Sequence, residues 1–462
     1  MEGLGMGCRS FPTHWQLLPL AEALDALIDY RGKTPKKTDT GIPLITAKIV
    51  KNGKILPVSE FIAEEDYDEW MVRGLPQVGD VVVTTEAPLG EVAQLEDCNV
   101  ALAQRIVTLR GAKEILESDY LRYVMQGPYV QGQLEARASG STVKGIKQSE
   151  LRKVLLPIPP KQEQTKIAKI LKSIDNKIQI NNQTNQTLEQ IAQAIFKSWF
   201  VDFEPVKAKI NALAAGGSQE DALLAAMQAI SGKDKAQLTQ LQTENPDYYN
   251  QLRTTAELFP AAMHDSELGE IPRGWSASTV GEEFGVTMGQ SPPGSTYNEE
   301  SEGIPFFQGR RDFGKRFPSE RVYCTAPKRM ANKGDTLLSV RAPVGDSNIA
   351  LTDCCIGRGL AALRHKSQSS SFTYYSVKQL GKELASYDSE GTVFGSINQK
   401  NLKALSVIKP CAQLVGAFES YAGSLDKTIF TKSKESQTLK QTRDTLLPKL
   451  LSGELIIKGI RI

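Results

Sequence analysis

Histidine is scarce: His14, His264 and His365 are the only three in 462 residues, and they lie far apart. Chemistry that draws on clustered imidazoles, at a metal or in a catalytic triad, has no motif here. Six cysteines, at 8, 98, 324, 354, 355 and 411, form no Cys-x-x-Cys pair. That pattern fits neither a zinc site nor a disulfide framework and leads us to expect free thiols in a reducing compartment. No Walker A pattern occurs, and no Gly-x-Gly-x-x-Gly follows a strand. No apolar run approaches the roughly 18 residues of a membrane helix, and MEGLGMGCRS lacks the apolar stretch of a secretory signal, so a cytoplasmic chain is expected. A dominant charge is missing too, the net being +2. Residues 12–160 hold 17 Lys and Arg against 20 Asp and Glu, residues 271–410 hold 18 against 13, so any basic patch must be local.

What the chain does contain is a repeat. Residues 79–90 read GDVVVTTEAPLG and residues 334–345 read GDTLLSVRAPVG. Around this phrase, Trp15 answers to Trp275, Gly32-Lys33-Thr34-Pro35 to Gly289-Gln290-Ser291-Pro292, and Gly41-Ile42-Pro43 to Gly303-Ile304-Pro305. Further on, Thr142-Val143 answers to Thr392-Val393, Pro159 to Pro410, and Ser173-Ile174-Asp175 to Ser424-Leu425-Asp426. The offset drifts from 262 down to 250 in the first part of each copy, then holds at 251. Each copy is therefore variable first and constant afterwards.

The variable part has short aliphatic runs bounded by Gly, Pro and Asn, the pattern of strands and turns, with helical pieces near 118–133 and 372–385. The constant part is a heptad seam. It runs through Ile167, Leu171, Ile174, Ile178, Leu188, Ile195 and Trp199 in one copy, and through Phe418, Leu425, Ile429, Leu439 and Leu446 in the other. Both seams are broken by polar residues at matching places, Asn181 and Asn185 against Lys432 and Ser436, which are candidates to meet and fix register. Each spans about 33 residues, or some 50 Å of helix. Two such helices are expected to pair, antiparallel, with a globule at either end. Residues 205–262 have no counterpart in the other copy and read as a helical hairpin or linker.

Two phrases close the helices: Phe196-Lys197-Ser198-Trp199-Phe200-Val201-Asp202-Phe203 and Leu446-Leu447-Pro448-Lys449-Leu450-Leu451-Ser452-Gly453-Glu454-Leu455. With Pro160-Lys161-Gln162-Glu163-Gln164 and the tandem plan, the chain resembles the specificity subunits (HsdS) of type I restriction-modification systems over 12–204 and 271–456. A departure is Ala412-Gln413-Leu414, where the first copy has Lys161-Gln162-Glu163. The resemblance implies an α+β chain of two similar target recognition globules, separated by two long antiparallel coiled-coil helices in a pseudo-twofold internal repeat. The expected boundaries are 1–160 and 269–410 for the globules, 161–204 and 411–462 for the helices, and 205–268 for the insert. Each globule would read half of a bipartite site in double-stranded DNA. The helices would set the gap and dock two methyltransferase subunits; restriction and translocase subunits are further partners that the family allows. The chain itself would be no enzyme and need no cofactor or metal; S-adenosylmethionine, ATP and Mg would belong to the partner subunits.

Residue types then nominate loops for DNA contact, since hydroxyls and amides read base edges while Lys and Arg meet phosphates. In the first copy these residues are Arg31, Lys33, Thr34, Lys36, Lys37, Lys48, Thr85, Ser141 and Thr142. In the second they are Gln290, Ser291, Tyr297, Arg310, Arg311, Lys315, Arg316, Arg341 and Thr392. Arg341 against Glu86 is a candidate difference in specificity. Two other classes compete, a stand-alone DNA nuclease or methyltransferase and a coiled-coil scaffold that binds only protein. Ser291-Pro292-Pro293-Gly294 resembles the tetrapeptide of adenine methyltransferases superficially, but lacks its Asn or Asp and its closing aromatic.

Overall fold

The computed structural model describes residues 11–389 and 395–455. The chain divides into two units, Met1–Asn182 with Ser433–Ile462, and Gln183–Lys432. The cut falls inside each long helix rather than at the globule boundaries expected from the sequence.

In the first unit an antiparallel sheet runs in the order Leu24–Asp29, Ile106–Gly111, Val81–Thr85, Leu89–Gln94. A second sheet joins Phe61–Ile62, Ile42–Ile45 and Ala101–Leu102, its last pair parallel. The run Val81-Val82-Val83 is apolar throughout because its strand is covered on both faces. Val81 and Val83 pack with Tyr120 and Val124, while Val82 packs with Leu44 and Leu102. Helices Ser118–Gln126 and Pro128–Arg137 cover the former side.

The second unit repeats the plan. Its main sheet runs Phe284–Met288, Leu360–His365, Thr336–Ser339, Ser347–Ile349, and its second sheet again pairs one strand, Ile304–Phe307, in parallel with Cys354–Ile356. The repeated Gly-Asp that opens the quoted phrase is structural in both units. Gly79 and Gly334 turn at φ +93° and +85°. Asp80 Oδ2 then accepts the Gln77 N–H at 2.8 Å and pairs with Arg110 at 2.7 Å. Asp335 does the same with the Asn332 N–H and Arg364. The phrase ends in a cis Ala-Pro bond in each case, Ala87–Pro88 and Ala342–Pro343.

The constant parts are two helices of 40 residues, Lys161–Phe200 and Ala412–Leu451. Within the first unit, Asp175 bonds Arg443 at 3.0 Å and Asn181 Nδ2 donates to Glu435 at 2.9 Å, so the two segments run antiparallel there. Within the second, Phe196 stacks edge-on to Phe418 and Trp199 to Tyr421. Asn181 is fully buried, and its Nδ2 donates to Glu435. Of the expected seam, Ile167, Leu171, Ile178, Phe418 and Ile429 are buried; Ile174, Leu188, Ile195, Leu425, Leu439 and Leu446 are half-buried. Ile167 and Leu171 lie in the globule core with Tyr120 and Val124, and Phe418 with Phe372 and Tyr375. The heptad period therefore serves helix–globule packing as well as helix–helix packing.

Each globule is completed by the tail of the other copy's helix. Trp15 packs with Leu450 and Leu451, and Gly453 lies so close that a Cβ there would stand 2.3 Å from Pro12. Trp275 packs against Phe200 and Phe203 at ring separations of 5.9 and 5.7 Å. Residues 205–262 are more than a hairpin. Four helices, Glu204–Ala214, Gln219–Ser231, Lys235–Glu244 and Pro246–Glu257, include three around a small core of Met227, Leu238 and Leu252. Among the described residues, no helix is long and apolar enough to cross a membrane.

Candidate nucleic-acid interface

In both units the loops nominated by the sequence are laced together at one end of the main sheet. Thr85 N–H donates to Arg105 O, Ile146 N–H to Thr85 O, and Ala103 N–H to Ile45 O, each at 3.0 Å. The second unit makes the same three bonds, Val340 N–H to Gly359 O, Ile397 N–H to Val340 O, and Gly357 N–H to Phe307 O, at 2.8–3.0 Å. Isolated bridges repeat as well, Glu86 to Gly145 and Arg341 to Ser396. Backbone hydrogen bonds thus build one knot twice, and what differs is the side chains that stand on it.

On the first knot Lys33, Thr34, Lys36, Ser141, Thr142 and Lys144 are exposed. Thr34 Oγ1 donates to Gln104 Oε1 at 3.2 Å, and Arg105 pairs with Glu86 at 3.1 Å. Lys37 and Lys48 are exposed but share Glu60, at 2.9 and 3.5 Å. The Lys37 hydrogen bond holds the Glu60 carboxyl below its ordinary value. Arg31 is half-buried: its guanidinium grips Asp29 and donates to Ile146 O at 2.7 Å, so it ties the knot.

On the second knot Gln290, Gln308, Arg310, Arg311, Lys315, Arg341 and Arg358 are exposed. Arg310 pairs with Asp346, and Ser291 Oγ accepts the Arg358 N–H at 3.3 Å. Three chain segments meet here through glycine. A Cβ on Gly289 would strike Gly357 O, and Cβ atoms on Gly357 and Gly359 would strike Gln308 at 2.9 and 2.7 Å. Tyr297 is partly buried, stacked on Phe306 at 4.7 Å with its hydroxyl donated to Pro292 O. Burial raises its pKa.

Two nominated residues are corrected. Thr85 is 1% exposed, inside the strand rather than on the loop. Arg316 is 4% exposed; its guanidinium pairs with Glu189 and, at 2.6 Å, with Asp426, and lies over the Tyr374 ring. A charge run in the sequence hid a buried anchor between globule and helix. Thr392 lies outside the described residues. Sequence reasoning also missed Gln104, Arg105 and Arg358. The signal was present: an arginine stands just ahead of the same strand in both copies, in Gln104-Arg105-Ile106 and Gly357-Arg358-Gly359-Leu360.

Residues 14–190 match the model of the type I restriction modification DNA specificity domain. The specificity subunit of type I restriction enzyme HindI from Haemophilus influenzae is 33% identical over 344 residues, which cover 69% of this chain and 73% of the relative. The chain belongs to the family of type I restriction-modification specificity subunits. The MjaIX specificity subunit of Methanocaldococcus jannaschii is 25% identical over 91% of this chain and 88% of its own length. The crystal structure of a type I S subunit from M. genitalium has the same fold, with a TM-score of 0.56 at 17% identity over 97% of this chain and 98% of its own. As a specificity subunit, the chain supplies DNA recognition to a restriction-modification complex and is not its catalyst. The stand-alone enzyme and the protein-only scaffold are accordingly not favoured.

Proposed function

We propose that each knot reads one half of a bipartite target in double-stranded DNA. The observation that carries this reading is the repetition of one backbone hydrogen-bond pattern under two different sets of exposed polar and basic side chains. Such a frame holds readers in equivalent positions while leaving their specificity free to differ. In the first unit the readers are Lys33, Thr34, Lys36, Lys48, Ser141 and Thr142; in the second they are Gln290, Ser291, Arg310, Arg311, Lys315 and Arg341. The two long helices, paired antiparallel, hold the globules apart, fix the gap between half-sites and dock two methyltransferase subunits. S-adenosylmethionine, ATP and Mg act in the partner subunits, restriction and translocase subunits among them, and the complex works in the cytoplasm.

The test is a map of methylated adenine in host DNA with the gene intact and deleted. Loss of one motif, two short half-sites around a fixed gap, is the expected result. An unchanged map from a host that expresses the chain and its methyltransferase partner would overturn the reading.

A further inference from the structure

The strongest asymmetry between the two knots sits at one equivalent position. The backbone bonds Thr85 N–H to Arg105 O and Val340 N–H to Gly359 O align Arg105 with Gly359, and therefore Gln104 with Arg358. A second contact confirms the match. Thr34 and Ser291 occupy corresponding places in the first loop, and each touches its partner at this step, Thr34 on the Gln104 side chain and Ser291 on the Arg358 N–H.

The two side chains are held from opposite directions. Arg358 rises between Gly357 and Gly359, both packed against Gln308 so closely that neither could carry a Cβ without displacing backbone. Its root is thus clamped on both sides. The described residues give it no carboxylate partner, in contrast to Arg310, Arg316, Arg321 and Arg364. Gln104 has its root fixed by the Ala103 N–H bond to Ile45 O, and its amide turned by Thr34. With the Thr34 hydroxyl on one lone pair of Oε1, the other lone pair and both Nε2 protons remain for a ligand.

Chemistry assigns different bases to these two groups. In the major groove a guanidinium pairs bidentately with guanine O6 and N7, and a carboxamide with adenine N6 and N7. Resting on the bipartite-reader assignment above, we propose that Gln104 and Arg358 are the equivalent base-reading residues of the two units, Gln104 specifying adenine in one half-site and Arg358 guanine in the other. Neighbouring charge agrees with the choice. Glu86 neutralises Arg105 beside Gln104, whereas the residue equivalent to Glu86 in the second unit is Arg341, a positive charge in place of a negative one.

The experiment uses the assembled complex of full-length chain and methyltransferase subunits, on duplexes in which each base pair of the mapped target is changed in turn. For the wild-type complex, replacing one guanine in the half-site of the second unit should weaken binding roughly 5- to 150-fold. In R358Q that penalty should disappear or turn into a preference for adenine at the same position, with the other half-site and the gap unchanged. Q104R, in the other unit, should shift one adenine requirement to guanine and leaves the inference testable if R358Q fails to assemble. A base-penalty profile identical to wild type would overturn the proposal. So would a uniform loss of affinity with a shallower salt slope, which marks a phosphate contact. Absence of any bipartite target for the wild-type complex would instead overturn the reader assignment itself.

Discussion

Arg316 binds two carboxylates and lies over an aromatic ring while almost wholly out of water. Glu189 comes from the first long helix, Asp426 from the second and Tyr374 from the globule, so one guanidinium ties three segments of the second unit. Asp175 plays the mirrored part in the first unit, accepting from Arg122, Tyr123 and Arg443. That explains why the aspartate of Ser-x-Asp recurs in both copies. Removing one member of a buried ionic group leaves the others uncompensated, so R316A should cost about 3–5 kcal/mol. R311A, at an exposed site, should stay within about 0.5 kcal/mol. Urea midpoints at unchanged m-value separate the two. Burial already pushes the Asp426 carboxyl up against the pull of Arg316. The R316A loss should therefore shrink as the pH enters the carboxylate range, where Asp426 takes a proton.

The strand Leu360–His365 ends in an imidazole that the fold keeps neutral. His365 is buried, its ring edge-on to Phe284 and Phe372, and Nδ1 accepts the Ser367 N–H at 3.1 Å, which leaves the proton on Nε2. Burial lowers its pKa, the Lys409 and Lys366 charges add to that, and Glu283 opposes it. The unfolded chain, with the ordinary value near 6.5, takes up a proton that the fold refuses, so stability is lost as pH falls below about 6.5. H365Q should flatten that part of the profile between pH 7.5 and 5.5, read as urea midpoints; equal slopes for the two proteins would exclude the histidine. Elements of this kind were legible in the sequence to different degrees. Val81–Thr85 and its sister are legible through their apolar runs, which burial on both faces requires, and through the flanking Gly-Asp turn. The long helices were legible from their period. The knots were not, because their bonds join residues such as Thr85 and Ile146 that no local pattern connects. Arg316 reads from the sequence as a DNA contact for the same reason: Glu189, its partner, lies 127 residues away.

On the scale of the molecule, each core is assembled from a globule and from parts of both long helices. The core around Trp15 draws on the first globule, the beginning of the first helix and Leu450 and Leu451 at the end of the second. The core around Trp275 likewise takes Phe196 and Phe200 from the end of the first helix and Phe203 from just beyond it. Exchange of recognition between relatives should therefore respect the units and not the globule boundaries. Replacing residues 12–159 alone with the corresponding segment of the M. jannaschii relative would set Leu450, Leu451 and Gly453 against a foreign tryptophan groove. Losing two well-packed leucine contacts costs several kcal/mol, at about 2–5 kcal/mol for each full truncation, so this chimera should unfold at markedly lower urea. Replacing 11–182 together with 433–455 keeps that core intact and moves both junctions into the helices. The second chimera should keep a midpoint close to the parents and, in a methylation map, change one half-site while retaining the other. A single-segment chimera as stable as the double one would mean that the tail of the second helix adds little to the first core.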